Sequence, residues 1–353
     1  MNDKFFRNKK VMITGHTGFI GSWLTKSLLM MGANILGYSL EPPTKPNIYD
    51  AIGLSKDIRD LRKDIRDKKS LKEGIYEFQP EIVFHLAAQP IVLESYKIPT
   101  QTFEINVIGT VNLLDNLRKT NSAKVIIVMT SDKVYKNNEW FYPYREIDSL
   151  GGRDPYSASK SCQDIVVNSF RESYFHDMEV SVSSIRAGNV IGGGDWGKYR
   201  IVPDIVKGLI ANKIVKIRNP NSIRPWQYVM EPVSGMLNLA EKMWNDTKFS
   251  GDWNFGPNDQ KAATVKELAD KLIKNWKDGS YSVVNDSEVR EAHYLQLDIN
   301  KAKNMLKWHP NYGLEESVRK TVEWYREYYR DRRSANKITE GQIETYFEGK
   351  NDA

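Results

Sequence analysis

Tyr156 and Lys160 stand four residues apart in DPYSASK, a spacing that puts both side chains on one face of a helix. An ammonium held beside a phenol lowers the phenol pKa. The resulting phenolate can take a hydroxyl proton while a hydride leaves the same carbon. Earlier in the chain, MTSDKVYKNNEW at 129–140 places Ser131, Asp132 and Lys133 directly after the apolar run VIIVM. A hydroxyl, a carboxyl and an amine therefore sit where a strand should end. By residue type alone Asp132 also reads as a turn cap, and Lys133 as a phosphate anchor or a surface ion pair.

A third feature supplies a partner for hydride chemistry. VMITGHTGFIGSWL sets Gly15, Gly18 and Gly21 between an aliphatic run and a helical pattern, with Thr17, Phe19 and Ile20 filling the same loop. The first glycine permits a tight turn, the second lets a pyrophosphate approach the backbone, and the third lets helix pack on strand. The helix N-terminus then faces the phosphates, which points to a bound dinucleotide. The next aliphatic run ends in Ser39, Leu40 and Glu41, so the choice between NAD and NADP is not fixed there. No arginine occupies that stretch to grip a ribose phosphate, which favours NAD.

These residues need a scaffold that brings strand ends together. VMIT (11–14), ANILGYSL (33–40), EIVFHLAA (81–88), KVIIVMTS (124–131) and VSVSSIRAG (180–188) read as buried strands. SWLTKSLLMMG, SLKEGIYEF, VIGTVNLLDNLRKT and SASKSCQDIVVNSFRESYF carry apolar residues at helical spacing between them. The alternation predicts an α/β fold, a Rossmann-type doubly wound parallel sheet, with a smaller mixed α/β domain after Gly188. The expected division is 1–188 plus about 225–255 for the dinucleotide domain, and 189–224 with 256–353 for the second. The polar tail from Asp331 onward is expected to be partly disordered.

Composition narrows the function classes. The 353 residues carry a net charge of +6 from 51 basic and 45 acidic side chains, interspersed rather than clustered, so nucleic acid is not an expected partner. Cys162 is the single cysteine; it excludes an internal disulfide and a cysteine-based zinc cluster, and it reads as helix packing. Five scattered histidines without ligand spacing predict no metal, and His85 reads as part of the strand and loop beneath the cofactor. The opening MNDKFFRNKKVMITG is too briefly apolar for a signal core or membrane span, so a cytoplasmic protein with no membrane partner is expected. Trp196 and Trp253 read as packing residues, while Trp226 could stack on a ligand or fill the core.

TGHTGF, HLAAQP, SYKIPTQTFEINVIGTVNLL, TSDKVY, DPYSASK, AGNVIGGGDW, IRNPNSIRPWQYVMEPVSG, WNFGP and EAHYLQLD together resemble the CDP-glucose 4,6-dehydratase branch of the extended short-chain dehydrogenase/reductases over roughly residues 11–325. The resemblance implies a nucleotide-sugar substrate, tightly held NAD, and a homodimer or homotetramer packed through the Tyr156 helix. It implies that Asp64 and Ile65 cap the adenine and that Leu86, Ala87 and Ala88 line the cofactor. It makes Asp132 the acid toward the sugar 6-hydroxyl, Lys133 the C5 base, and Ser131 part of the shared hydride machinery. Gln89, Asn189, Arg218, Arg224 and Gln227 become the substrate side, where arginine forks suit a diphosphate. Ile20, Leu93 and Lys136 depart from the family pattern, at positions where a lysine, an arginine and an acid are expected. A 4-epimerase or 4-dehydrogenase shares Tyr156 and Lys160 but has no use for an elimination acid. A non-catalytic nucleotide-binding scaffold needs none of these groups.

Overall fold

The computed structural model describes residues 4–217, 219–258, 263–283 and 294–351. Seven parallel strands form the central sheet: β1 (Lys10–Thr14), β2 (Asn34–Ser39), β3 (Arg59–Arg62), β4 (Ile82–His85), β5 (Val125–Met129), β6 (Ser181–Ala187) and β7 (Gly251–Phe255). They lie in the order β7-β6-β5-β4-β1-β2-β3. The order reverses between β1 and β4, and the crevice outside their carboxyl ends is where such sheets bind ligands.

Strands β1, β4 and β5 are apolar at consecutive positions because helices cover both faces. Side chains alternate faces along a strand, so Val11, Ile13, Ile82, Phe84, Val125, Ile127 and Ile185 enter one core, while Met12, Val83, Ile126, Val128 and Val182 enter the other. Helix α1 (Phe19–Met30) covers the first face. On the second lie α2 (Lys68–Phe78), α3 (Gly109–Thr120) and α4 (Pro155–Phe170). Two strands escaped the periodicity reading. RDLR of β3 sits at the sheet edge and is only half-buried, so it has no apolar run to announce it. GDWNF of β7 returns to the sheet after a helix and pairs with β6.

Past Gly188 the chain forms α5 (Ile201–Ile210), α6 (Met230–Asn245), α7 (Val265–Trp276) and three short strand pairs, of which Ile223–Arg224 with Ala263–Thr264 is antiparallel. Helix α6 packs back on β5 and β6. The polar tail is a correction to the expected disorder: α8 (Leu314–Arg330) is followed by a helix, α9 (Ala335–Asn351). Ala335, Ile343 and Tyr346 of α9 enter the main core, and Glu340 pairs with Lys26 of α1 at 2.5 Å. Three or four apolar side chains at helical spacing hold an otherwise polar segment in place. Buried Glu231 at the start of α6 completes the anchor, accepting from Asn311 N (3.0 Å), Tyr312 N (2.9 Å) and Tyr346 Oη (2.5 Å).

Candidate active site

At the end of β1 the chain turns through Gly15, whose φ of +78° suits glycine, and a Cβ there would meet Ala87 N at 2.6 Å. A Cβ on Gly21 would come within 2.1 Å of Gly15 O, so α1 can start this close to β1 only without one. Gly18 is the N-cap of α1 and has no side chain to bond the first-turn N–H groups. These residues form a backbone cradle fit for a pyrophosphate. Beside it, Thr17 Oγ1 meets Ser39 Oγ at 2.8 Å and donates to Leu40 O at 3.1 Å, fixing the loop to the end of β2.

The sequence offered no arginine beside β2, but the sheet supplies one. Arg62 of β3 pairs in register with Ser39, and its guanidinium donates to Leu40 O at 3.2 Å. Asp60 at 2.8 Å and Glu41 at 3.9 Å already engage its charge. Asp64 grips Arg66 through its own carboxyl (2.7 Å), which holds that carboxyl below the usual range.

Helix α4 begins with Asp154 as N-cap, accepting from Ser157 N at 2.9 Å, and Pro155 follows at the first helical position. This fixes Tyr156 in the first turn, where its backbone N–H also donates to Ser95 Oγ at 3.1 Å. One turn later, buried Lys160 donates from Nζ to Met129 O (3.2 Å) and to Gln163 Oε1 (2.8 Å). The first of these bonds ties the helix to the last residue of β5. Burial pushes the Tyr156 phenol up to about 12, with the Ser131 hydroxyl pulling the other way. Burial also brings Lys160 down to about 7, against the opposing pull of Asp164.

After Met129 the chain leaves β5 and makes a single turn. Ser131 caps it, accepting from Lys133 N (3.2 Å) and donating to Asp132 Oδ1 (3.0 Å). Asp132 is buried and its Oδ2 has no hydrogen-bond partner among the described residues. Burial pushes this carboxyl up toward its protonated form, although Lys133, Ser131 and Arg224 pull it down. Room for it comes from Gly188, where a Cβ would lie 2.1 Å from Asp132 Oδ2.

A cleft of about 600 Å³ joins these parts. Among its lining are Gly15, Thr17, Gly18, Phe19, Ile20 and Gly21 from the cradle, and Asp64, Ile65, Leu86, Ala87 and Ala88 along the neighbouring strand ends. Ser131, Asp132, Lys133, Tyr156 and Lys160 line its middle, with Asn189 and Arg224 beyond them. Ile20 and Leu93 line it too; Lys136 is not among the lining residues. Two expected substrate residues do not line it. Gln89 spends its amide on Ile91 and Thr102, and Gln227 donates to Gly188 O (2.9 Å) and Phe255 O (3.0 Å), so both shape the walls from behind. Arg218 lies outside the described residues. Arg200 was missed by sequence reading: it lines the cleft, pairs with Asp195 at 3.0 Å, and its charge favours the Tyr156 phenolate. Its only sequence signal was its position a few residues after AGNVIGGGDW.

Trp196 and Trp253 are buried in the main core, and Trp226 is buried while also lining the cleft. Among the described residues no group of three His, Cys, Asp or Glu side chains could hold a metal, and no helix is long and apolar enough to cross a membrane. The arrangement combines a buried phenol and ammonium, suited to moving a proton alongside hydride, with a buried carboxyl suited to protonating a leaving group.

A family model described as GDP-mannose 4,6 dehydratase matches residues 12–321. A CDP-glucose 4,6-dehydratase from Salmonella typhimurium is 46% identical over 338 residues, covering 94% of each chain. Among solved structures, a dTDP-glucose 4,6-dehydratase from Streptomyces venezuelae, with NAD and TYD bound, superposes with a TM-score of 0.78 at 21% identity, covering 90% of this chain and 97% of that one. An epimerase from Methanothermobacter thermautotrophicus superposes at 0.80 with 23% identity, covering 94% and 96%. At those identities the two structures establish the shared fold.

Proposed function

The chain belongs to the GDP-mannose 4,6 dehydratase family of extended short-chain dehydrogenase/reductases, and on that footing we propose that it is an NAD-dependent nucleotide-sugar 4,6-dehydratase converting CDP-glucose to CDP-4-keto-6-deoxyglucose. One observation carries the reading: the buried carboxyl of Asp132 stands three residues beyond Met129, whose carbonyl holds Lys160 of the hydride pair. An epimerase or simple dehydrogenase has no task for a buried acid in that position. The 46% identity to a relative named for CDP-glucose supports the choice of base and sugar.

The Gly15–Gly21 cradle would hold the pyrophosphate of NAD, Asp64 and Ile65 its adenine end, Leu86 to Ala88 its middle, and Tyr156 with Lys160 its nicotinamide ribose. When bound, NAD supplies an acceptor for the hydride from C4 and a donor that returns it to C6. Tyr156 takes the proton of the 4-hydroxyl, and the Lys160 ammonium with nearby Arg200 stabilises the phenolate. The ketone at C4 acidifies the C5 proton, which Lys133 removes; when C6 is reduced, a proton exchanged with solvent returns to C5. Asp132 gives its proton to the departing 6-hydroxyl, a role that its raised pKa suits. Asn189 and Arg224, with Arg218, are assigned to the nucleotide diphosphate.

The same reading makes the protein cytoplasmic and its product a precursor for deoxysugars of the lipopolysaccharide O-antigen. It also makes the protein a homodimer or homotetramer packed through α4, where exposed Ile165 lies on the helix that carries Tyr156. The test is a panel of CDP-, dTDP-, GDP- and UDP-hexoses incubated with the protein in deuterated water. CDP-glucose should lose water and gain deuterium at C5. A product of unchanged mass without C5 deuterium would point instead to epimerisation.

A further inference from the structure

Beneath the cleft a line of buried side chains runs from the cofactor cradle to Lys160. Ala87 N donates to Thr14 Oγ1 at 3.2 Å, and Thr14 Oγ1 meets His85 Nδ1 at 2.6 Å. His85 Nε2 meets Thr110 Oγ1 at 2.9 Å, and Gln163 Nε2 donates to the same oxygen at 2.8 Å. Gln163 Oε1 then accepts from Lys160 Nζ. Thr14, His85, Thr110 and Gln163 are all fully buried, so a lost partner is not made good by bulk solvent.

The donors in this line can be directed. Thr110 has one hydroxyl proton, and it goes to Asn106 O at 2.8 Å. Its oxygen must then accept from both Gln163 Nε2 and His85 Nε2. His85 is fully buried and held neutral, its pKa lowered to about 3 by burial and by Lys160, so Nδ1 is an acceptor and takes the Thr14 proton. With Nε2 of Gln163 committed to Thr110, its carbonyl must face the ammonium. A flipped amide would set N–H against N–H at Lys160.

We propose that Gln163 is a positioning residue for Lys160, and that the line from Thr14 through His85 and Thr110 locks its amide so that the carbonyl faces the ammonium. Two of the three ammonium N–H groups are thereby spent on Met129 O and Gln163 Oε1, which leaves the third for the cleft that Lys160 lines. A loss of the carbonyl removes an acceptor that favours the charged lysine, and the Tyr156 phenolate then loses part of its counter-charge. The other groups bearing on this pair are Asp164 on the same helix, itself bound by Arg186 of β6 at 2.8 Å, and Asp132, Asp154 and Arg200 acting on Tyr156. The catalytic consequence rests on the hydride role proposed for Tyr156 and Lys160; the geometry does not.

The test is an NMR titration of ¹³Cε-labelled lysines in the full chain without substrate, with Lys160 assigned through Lys160→Arg. The wild-type signal should titrate near 7. Gln163→Met should move it down by about one pH unit, and Thr110→Val should move it the same way by less. The double variant should go no further than Gln163→Met, because the two act as one unit. In turnover, the acid limb of kcat for Gln163→Met should move up by a similar amount while KM for the nucleotide sugar stays within about twofold. A folded Gln163→Met with an unmoved Lys160, or additive shifts in the double variant, overturns the proposal. If Gln163→Met does not fold, the tautomer decides: ¹⁵N shifts should show His85 protonated at Nε2, and a proton on Nδ1 overturns the directed line. The titration is read without turnover, so a wild-type chain that dehydrates nothing would remove the functional reading and leave this test standing.

Discussion

Gly188→Ala should damage elimination while every catalytic residue keeps its identity, because it displaces the Asp132 carboxyl. Gly188 is not in the left-handed region, so alanine meets no backbone penalty, only a steric one. Its Cβ would lie 2.1 Å from Asp132 Oδ2 and 2.5 Å from Cγ, where ordinary contact begins at 3.4 Å. The carboxyl must retreat by about 1.3 Å, and a displacement of about 1 Å in a reacting group costs roughly 10²-fold. It has little freedom to absorb this, being buried and bonded to Ser131 through its other oxygen. Formation of the 4-keto product, followed by its absorbance in alkali, should fall about a hundredfold, on the order of 3 kcal/mol in the barrier. CDP binding by calorimetry should stay near the wild-type value. A folded Gly188→Ala protein dehydrating at the wild-type rate refutes the placement of Asp132 as the group that meets the 6-hydroxyl.

Asp132→Asn keeps the shape and removes the acid, so elimination should drop by roughly 10²–10⁴ while C4 oxidation proceeds, visible as reduced nicotinamide accumulating in single turnover. Lys160→Met should stabilise the protein at neutral pH. The Lys160 pKa falls from about 10.4 in the unfolded chain to about 7 in the fold, so its cost to stability is complete below about pH 7 and fades as pH rises toward 10.4. The Tm difference measured at pH 6 should therefore shrink by pH 10; a difference that grows with pH contradicts the burial argument. Glu231→Ala strips the acceptor from Asn311 N, Tyr312 N and Tyr346 Oη, and should cost about 3 kcal/mol in urea unfolding and expose α9 to protease.

Local pattern revealed those parts of the site built from one strand end or one helix turn. Gly15, Gly18 and Gly21 announce themselves because three backbone approaches forbid a Cβ or favour its absence, and Tyr156 with Lys160 because helical pitch sets their spacing. Five of the seven strands were legible for a similar reason: buried parallel strands are rich in aliphatic residues, continuous in β1, β4 and β5 and interrupted by serines in β6. The edge strand β3 lacks such a run, and with it Arg62 was lost as a neighbour of Ser39, since the register between β2 and β3 is a tertiary fact. Arg200 and Gln163 were invisible because neither belongs to a spacing rule. Their roles come from what lies across the cleft or behind it. Gln89 and Gln227 show a limit of motif reading: both lie in the right motifs, yet the N–H groups of Gln89 go to Ile91 O and Thr102 Oγ1 and those of Gln227 to Gly188 O and Phe255 O. The tail misled because average polarity outweighed a sparse apolar stripe.

In the proposed reaction a hydride taken from C4 returns within the same sugar to C6 after water has left. CDP-glucose carrying deuterium at C4 tests it directly, with the product read by mass and NMR. The label should appear at C6 of a 4-keto-6-deoxy product, with no external reductant added and none of the label in the solvent. Label retained at C4, or released from the sugar, would contradict it.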